Sequence, residues 1–155
     1  GQAGGGRCPV TVKPRDIITV DVEEWFHGHN YLDHVPPGVW DRQEQRVEVG
    51  THRCLDLLDR HGVRATFFVL GWTAERFPDV VREIVRRGHE VGCHSYAHPE
   101  VFKLTRDQFR ADCDRAREAL ARAGVDEIQF DYVRYPTNGW TGGDLQDLGA
   151  TAARR

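Results

Sequence analysis

The feature that most constrains the fold of this 155-residue chain is a pair of apolar segments that end in polar side chains. One covers residues 17–27, and the other covers residues 90–98. Their ionisable or metal-binding residues include Asp21, Glu23, Glu24, His94 and His98. In parallel α/β folds, ligands and catalytic groups collect at the carboxyl ends of the strands. The two segments therefore predict a functional site at one edge of a parallel sheet.

The two histidines of the second segment, His94 and His98, are four residues apart. If residues 95–98 form a helical turn, both imidazoles point in the same direction. A carboxylate from the first segment would complete a set of two histidines and one carboxylate, with one position left open for water. This is the usual composition of a catalytic Zn²⁺ site. The pattern therefore predicts that the chain binds Zn²⁺ or another divalent metal ion.

Two glutamates at the end of the first segment, Glu23 and Glu24, are candidates for the third metal ligand. On an extended strand Asp21 and Glu23 share one face, whereas Glu24 points away from it. Glu23 is therefore the predicted ligand, and Glu24 is the alternative if the strand bulges after Val22. Asp21 is then the predicted general base, which takes a proton from the attacking water.

Strand-like and helix-like segments alternate along the chain. The predicted strands lie near residues 16–22, 64–70 and 90–93, and the predicted helices lie near residues 44–60, 78–87 and 105–123. Local signals support the helices, since Thr105 with Gln108 matches a capping box and Gly62 suits a helix end. A fourth strand is expected within residues 128–136. The alternation predicts an α/β fold with a parallel sheet and right-handed crossovers.

Apolar patterns predict which side chains form the core. The first strand should bury both of its faces, as strands of parallel sheets do, and its apolar residues are Ile17, Ile18, Val20 and Val22. The helix near residues 78–87 should bury Val80, Val81, Ile84 and Val85. In the polar loop over residues 27–42, His29 and His34 are expected to be surface residues.

Charge and composition exclude several classes of function. The chain has a net charge of −3, whereas a nucleic-acid-binding protein usually carries clustered positive charge. No apolar run approaches the roughly 18 residues of a membrane-spanning helix, so no transmembrane segment is predicted. The four cysteines are widely spaced and form no CxxC pair, so they are expected to be reduced. A cytoplasmic location is the resulting expectation.

Three motifs resemble those of a known family. Residues 19–27 resemble the first motif of the polysaccharide deacetylases, the NodB-homology family or carbohydrate esterase family 4, with its paired aspartates replaced. Residues 94–98, His-Ser-Tyr-Ala-His, resemble the family's metal-binding motif His-Ser-x-x-His, and residues 64–71 resemble its second-strand signature. The resemblance covers about residues 15–123. It implies a partial (β/α) barrel and a carbohydrate or small amide substrate, and it also implies that Asp21 is the general base.

The segment after residue 125 has two interpretations. Arg134 and Pro136 stand where deacetylases carry an Arg-x-Pro motif, and this implies that Arg134 steadies the catalytic aspartate. Residues 126–136 also resemble a strand from a family of TIM-barrel glycosidases. The expected organisation is a flexible lead-in over residues 1–14, one deacetylase-like domain over residues 15–136 and a tail over residues 137–155. In one alternative, the deacetylase-like domain is truncated or fused to another segment after residue 123.

The leading hypothesis for function is a metal-dependent hydrolase of non-peptide amide bonds, namely an N-deacetylase acting on a polysaccharide or peptidoglycan sugar. An allantoinase-like or cyclic-imide amidohydrolase would use the same ligands, and a non-catalytic module would keep the fold without turnover. The family takes its general acid from a late histidine, and this sequence ends before such a motif, which favours low activity. A glycosidase would need two carboxylates roughly 5 to 10 Å apart, and Asp131 has no evident partner. The oligomeric state is not predicted.

Overall fold

A sheet of four parallel strands, in the order β1-β2-β3-β4, forms the centre of the fold. The computed structural model describes residues 17–125 and 129–130. The strands β1 to β4 are Thr19–Val22, Thr66–Val69, Glu90–Cys93 and Gln129–Phe130. The three strands predicted before residue 100 are present and parallel, so the predicted α/β fold with a parallel sheet is confirmed. The short β4 falls within the segment expected to hold a fourth strand.

Helices connect these parallel strands. In the described part of the chain the α-helices α1 to α4 are Val47–His61, Gly71–Arg76, Pro78–Arg86 and Arg106–Arg122. The polar loop after β1 contains three short 3-10 helices at Trp25–His27, His29–Tyr31 and Pro37–Arg42, and another 3-10 helix lies at Val101–Lys103. The predicted lead-in, the predicted tail and Arg134 lie outside the described residues.

The capping box predicted at the start of α4 is confirmed. The Gln108 backbone N–H donates to Thr105 Oγ1 at 3.3 Å, and the Thr105 backbone N–H donates to Gln108 Oε1 at 2.8 Å. At the end of α1, Gly62 has φ 62°, and its N–H donates to the carbonyls of Leu58 and Asp59. A left-handed residue of this kind is usually glycine and closes a helix.

Two predictions of burial are wrong. Ile17 is 81% exposed and Ile18 is 43% exposed, because pairing with β2 begins only at Thr19. Val85 is 42% exposed, whereas Ile84 is fully buried. Neighbouring residues on a helix are about 100° apart around its axis, so the buried face of α3 excludes Val85.

The core lies between the sheet and the helices. Its fully buried side chains include Phe67 of β2, Leu55 of α1, Ile84 of α3 and Leu120 of α4. None of the helices in residues 17–125 is both long and apolar enough to cross a membrane. The packed helices leave the carboxyl edge of the sheet as the place where polar side chains meet.

Candidate active site

The carboxyl ends of the first three strands lie level with one another. Val22 pairs with Val69, and Val69 pairs with Cys93, so β1, β2 and β3 end at the same edge of the sheet. The next residues after β1 and β3 are Glu23 and His94. Their side chains approach each other, with 4.0 Å between Glu23 Oε2 and His94 Nε2.

Glu23, His94 and His98 converge as the sequence predicts. One carboxylate oxygen and one ring nitrogen from each histidine all lie within 4.8 Å of one another. All three residues are half-buried. The rings of His94 and His98 are 5.0 Å apart between their centroids. A single cation placed between these atoms could be reached by all three side chains.

The surroundings of Glu23 fit a bound cation. Its Oε2 is buried and has no hydrogen-bond partner among the described residues. Burial raises the pKa of the Glu23 carboxyl; the imidazole of His94 opposes this rise, and the charge of Asp21 adds to it. A divalent ion would supply the missing partner and favour the ionised carboxylate. One carboxylate and two imidazoles are a donor set suited to Zn²⁺.

The turn that brings the two histidines together differs from the prediction. Residues 95–98 are not helical, because Ser95 has φ 67° and His98 has φ 58°. The His98 backbone N–H donates to Ser95 Oγ at 3.0 Å and closes the turn. Left-handed conformations are uncommon in residues other than glycine. The imidazoles therefore converge through a specific turn rather than through helical spacing.

Glu24 points away from the proposed metal site. Its side chain is 1% exposed and accepts hydrogen bonds from the backbone N–H groups of Arg46, at 2.8 and 3.0 Å, and Val47, at 2.9 Å. These two groups lie at the start of α1, where helix N–H groups lack partners within the helix. Glu24 thus acts as a distant cap for α1, and the structure gives no bulge that would turn it toward the histidines.

His27 is a buried residue of the site region to which the sequence interpretation gave no role. Its Nδ1 accepts the backbone N–H of Glu24 at 2.9 Å, and its ring lies 4.5 Å from that of Trp40 and 4.9 Å from that of Trp72. Burial lowers its pKa to about 4, and the nearby His98 contributes in the same direction. The concentration of aromatic residues near His27 was the one sequence signal that could have indicated this environment.

Two further polar residues border the proposed ligands. Asp21 is exposed and lies within β1, two positions before Glu23, and its charge acts on the Glu23 carboxyl. His29 is exposed, as predicted for a surface residue, but its ring lies 4.6 Å from that of His98. It is therefore a neighbour of the site that the sequence interpretation missed. His34 is exposed, as expected.

A cavity lies beside β1, and Glu23 is the one proposed ligand among its lining residues. Its volume is about 250 Å³. Asp21 and Glu23 line one part of it, and Trp25 lies beside them. The remaining lining residues are Val20, Val22, Glu24, Arg46, Val47, Gly50, Thr51 and Cys54. Asp21 and Glu23 therefore border an open space beside β1.

The sequence model of one family, described as polysaccharide deacetylase, matches residues 38–152. This range covers more than half of the chain and contains both His94 and His98. The chain belongs to the polysaccharide deacetylase family. The matched range begins after the segment that supplies Asp21 and Glu23, and it includes Arg134.

Individual relatives agree with this assignment. The chain is 43% identical over 72 residues to a peptidoglycan-N-acetylglucosamine deacetylase of Bacillus cereus, covering 46% of this chain and 26% of the relative. It is 36% identical over 104 residues to a chitin deacetylase of Colletotrichum lindemuthianum, covering 64% of this chain and 41% of the relative. The chain thus spans less than half the length of these two relatives.

A solved structure extends the similarity to the fold. It is a family 4 carbohydrate esterase from Streptomyces lividans in complex with acetate, 25% identical to this chain with a TM-score of 0.57. The match covers 87% of this chain and 57% of that one. The parallel sheet and its helices therefore form part of the barrel that is typical of these deacetylases.

Proposed function

We propose that this chain carries the metal-binding part of a hydrolase that removes N-acetyl groups from a polysaccharide or peptidoglycan sugar. The observation that carries this proposal is the convergence of Glu23, His94 and His98, whose donor atoms lie within 4.8 Å of one another at the carboxyl edge of the sheet. Membership of the deacetylase family and the similarity to peptidoglycan and chitin deacetylases support this substrate class.

The proposed ligands of a Zn²⁺ or similar divalent ion are Glu23, His94 and His98. When bound, such an ion supplies Lewis-acid activation of the acetyl carbonyl and of water. The half-buried position of the three side chains limits competition from bulk solvent for their donor atoms. Such an ion would also give the buried Oε2 of Glu23 the partner that it lacks among the described residues.

Asp21 is the proposed general base. On the extended backbone at the end of β1 Asp21 shares a face with Glu23, and both residues line the cavity beside the strand. From there it can take a proton from the water that attacks the acetyl carbon. His29 is exposed, and its ring lies 4.6 Å from that of His98, so it borders the proposed metal site. Arg134, the proposed partner of the catalytic aspartate, lies outside the described residues.

The proposal is tested by metal content and acetate release together. Elemental analysis of the purified chain should find about one equivalent of metal, and acetate should be released from N-acetylglucosamine oligomers. The His94→Ala/His98→Ala double variant is the matched control and should lose both, because two imidazoles at this spacing are the strongest ligands available. Undiminished metal content in the double variant would rule out the site.

A different result would favour one of the alternatives. Metal binding without acetate release would point to a small-amide substrate, such as that of an allantoinase-like amidohydrolase, or to a binding module without turnover. Both alternatives retain the ligand set, so the opening of a cyclic amide distinguishes them, because water then cleaves the ring C–N bond and leaves a new carboxylate and the nitrogen on one product. A chain that binds no metal and releases no acetate would refute the proposed function.

A further inference from the structure

The backbone between the two proposed histidine ligands is held in an unfavourable conformation. Ser95 and His98 are both left-handed, although neither is glycine. Such residues persist only when the surrounding structure specifies them. Contacts from outside the turn must therefore determine how His94 and His98 are presented.

One of these contacts comes from α4, where Asp112 accepts the backbone N–H of Tyr96. The distance from the Tyr96 nitrogen to Asp112 Oδ2 is 3.0 Å. Asp112 is half-buried, and burial raises the pKa of its carboxyl, while the Tyr96 N–H and the charge of Arg115 oppose the rise. A carboxyl kept in such a place needs a specific partner, and the peptide that follows Ser95 provides one.

The opposite side of the same segment is held by the first residues of α2. The Gly71 N–H donates to the Ser95 carbonyl at 2.9 Å, and the Trp72 N–H donates to the Tyr96 carbonyl at 2.8 Å. Both carbonyls are therefore fixed by one helix, while the intervening N–H group is fixed by Asp112 from another. The peptide between Ser95 and Tyr96 has little freedom to rotate.

The Tyr96 side chain anchors the segment further. It is 7% exposed, its hydroxyl donates to Glu75 Oε2 at 2.7 Å, and it accepts Arg115 Nη2 at 2.6 Å. The Arg115 guanidinium carbon lies 3.5 Å from the centroid of the Tyr96 ring. Arg115 is one turn of α4 away from Asp112, so a single helix holds both the backbone and the ring of Tyr96.

We propose that Asp112 is a positioning residue for the metal site, acting through the Tyr96 peptide to keep His94 and His98 convergent. The inference rests on the proposed function, because it concerns the same ligands. What matters is the hydrogen-bond acceptor at this position rather than its charge, since the group that it contacts is a neutral peptide N–H. Groups that hydrogen-bond directly to metal ligands typically contribute about 10- to 100-fold to metal affinity, and we expect an effect in this range from Asp112, which acts through the peptide between the two ligands.

The test compares three variants of the whole chain by competition with a chelator for Zn²⁺ and by the visible absorption of bound Co²⁺. Asp112→Ala should weaken Zn²⁺ binding about 10- to 100-fold and change the Co²⁺ spectrum. Asp112→Asn keeps an oxygen acceptor and should stay within about threefold of the wild type. Asp114→Ala is the control, because Asp114 is an exposed carboxylate on the same helix, paired with Arg117 at 3.3 Å.

The outcomes separate this inference from the proposed function. A wild-type chain that binds no Zn²⁺ refutes the function and the inference together. Wild-type binding with an equal affinity in Asp112→Ala refutes only the inference, as does an Asp112→Asn variant as weak as Asp112→Ala. If Asp112→Ala fails to fold, amide exchange in the wild type decides. Slow exchange at Tyr96 is expected, and exchange at the rate of an open peptide would overturn the inference.

Discussion

Glu23 and Glu24 are chemically alike and adjacent, yet their carboxylates occupy different environments. Glu24 is satisfied by backbone N–H groups at the start of α1. Glu23 Oε2 faces His94 at 4.0 Å and has no hydrogen bond within the described part of the chain. The alternation of side chains beyond β1 produces this division, and the sequence predicted it correctly for Glu24. The sequence did not indicate that Glu24 caps the start of α1.

Substitution of each glutamate by alanine should therefore affect a different property, metal affinity for Glu23 and stability for Glu24. Glu23→Ala should weaken Zn²⁺ binding by more than the roughly 100-fold expected for an outer partner, with little change in the stability of the metal-free chain. Glu24→Ala should lower the free energy of unfolding by about 1 to 3 kcal/mol, because it leaves buried N–H groups unpaired. Zn²⁺ titration and urea unfolding measure the two effects. If Glu24→Ala loses the metal and Glu23→Ala retains it, the strand bulges in solution.

Asp21→Asn should separate catalysis from metal binding. The amide has nearly the same shape as the carboxylate but cannot accept a proton from water, so the rate of acetate release should fall by about 10² to 10⁴. Metal content and the unfolding midpoint should stay at wild-type values, since Asp21 is exposed. A variant as fast as the wild type would remove Asp21 from the mechanism. The comparison requires a measurable wild-type rate above that of the metal-free chain.

At the scale of elements, features with local causes were predictable and features with distant causes were not. The start of α4 followed from Thr105 and Gln108, which lie within one turn of each other. By contrast, α1 begins at Val47 rather than near residue 44, because Glu24 caps it from the end of β1. Likewise, the left-handed Ser95 depends on contacts with α2 and α4 that no local pattern encodes.

The sequence pattern did not predict the six-residue helix α2, although this helix positions the turn between His94 and His98. It is too short to show an apolar period, and it begins at Gly71, only one residue after the end of β2. The structure explains this glycine. A β-carbon at position 71 would lie 2.8 Å from Ala116 Cα and 2.8 Å from Tyr96 Cδ2. The close approach of α2 to Ala116 of α4 and to Tyr96 therefore requires the absence of a side chain at position 71.

Gly71→Ala should consequently destabilise the fold. Overpacking against a backbone atom that cannot move freely should lower the free energy of unfolding by about 1 to 3 kcal/mol. Gly50→Ala is the matched control, because Gly50 lies within α1 and a β-carbon added there would meet nothing within 4 Å. That control should be stabilising by up to about 1 kcal/mol, the helix preference for alanine over glycine. Equal stability of the two variants in urea would contradict the close contact.

For the whole molecule, the parallel sheet explains why two distant segments form one site. The strand alternation predicted this meeting of Glu23 with His94 and His98, because parallel strands end at a common edge. It did not predict the aromatic cluster behind that edge, where His27 packs against Trp40 and Trp72. His27 and Trp40 lie at opposite ends of the polar loop after β1, and Trp72 lies in α2, so only the assembled fold brings them together.

This cluster predicts how the stability of the chain depends on pH. The pKa of His27 is about 4 in the folded chain, against 6.5 for an ordinary histidine. Between these values the unfolded chain binds more protons than the folded one, so the free energy of unfolding should fall as the pH decreases from 6.5 to 4. The difference between the two pKa values corresponds to a loss of about 3 kcal/mol across that range.

Urea unfolding of the metal-free chain between pH 4 and pH 7 measures this loss, and chelation removes the separate effect of pH on metal binding. His27→Gln keeps an acceptor for the Glu24 N–H but has no titrating ring, so its stability should decline less steeply. His34→Gln, at an exposed position in the same loop, should follow the wild type. If His27→Gln loses as much stability as the wild type, the acid sensitivity comes from other groups, because the buried imidazole is then not the site that takes up the proton on unfolding.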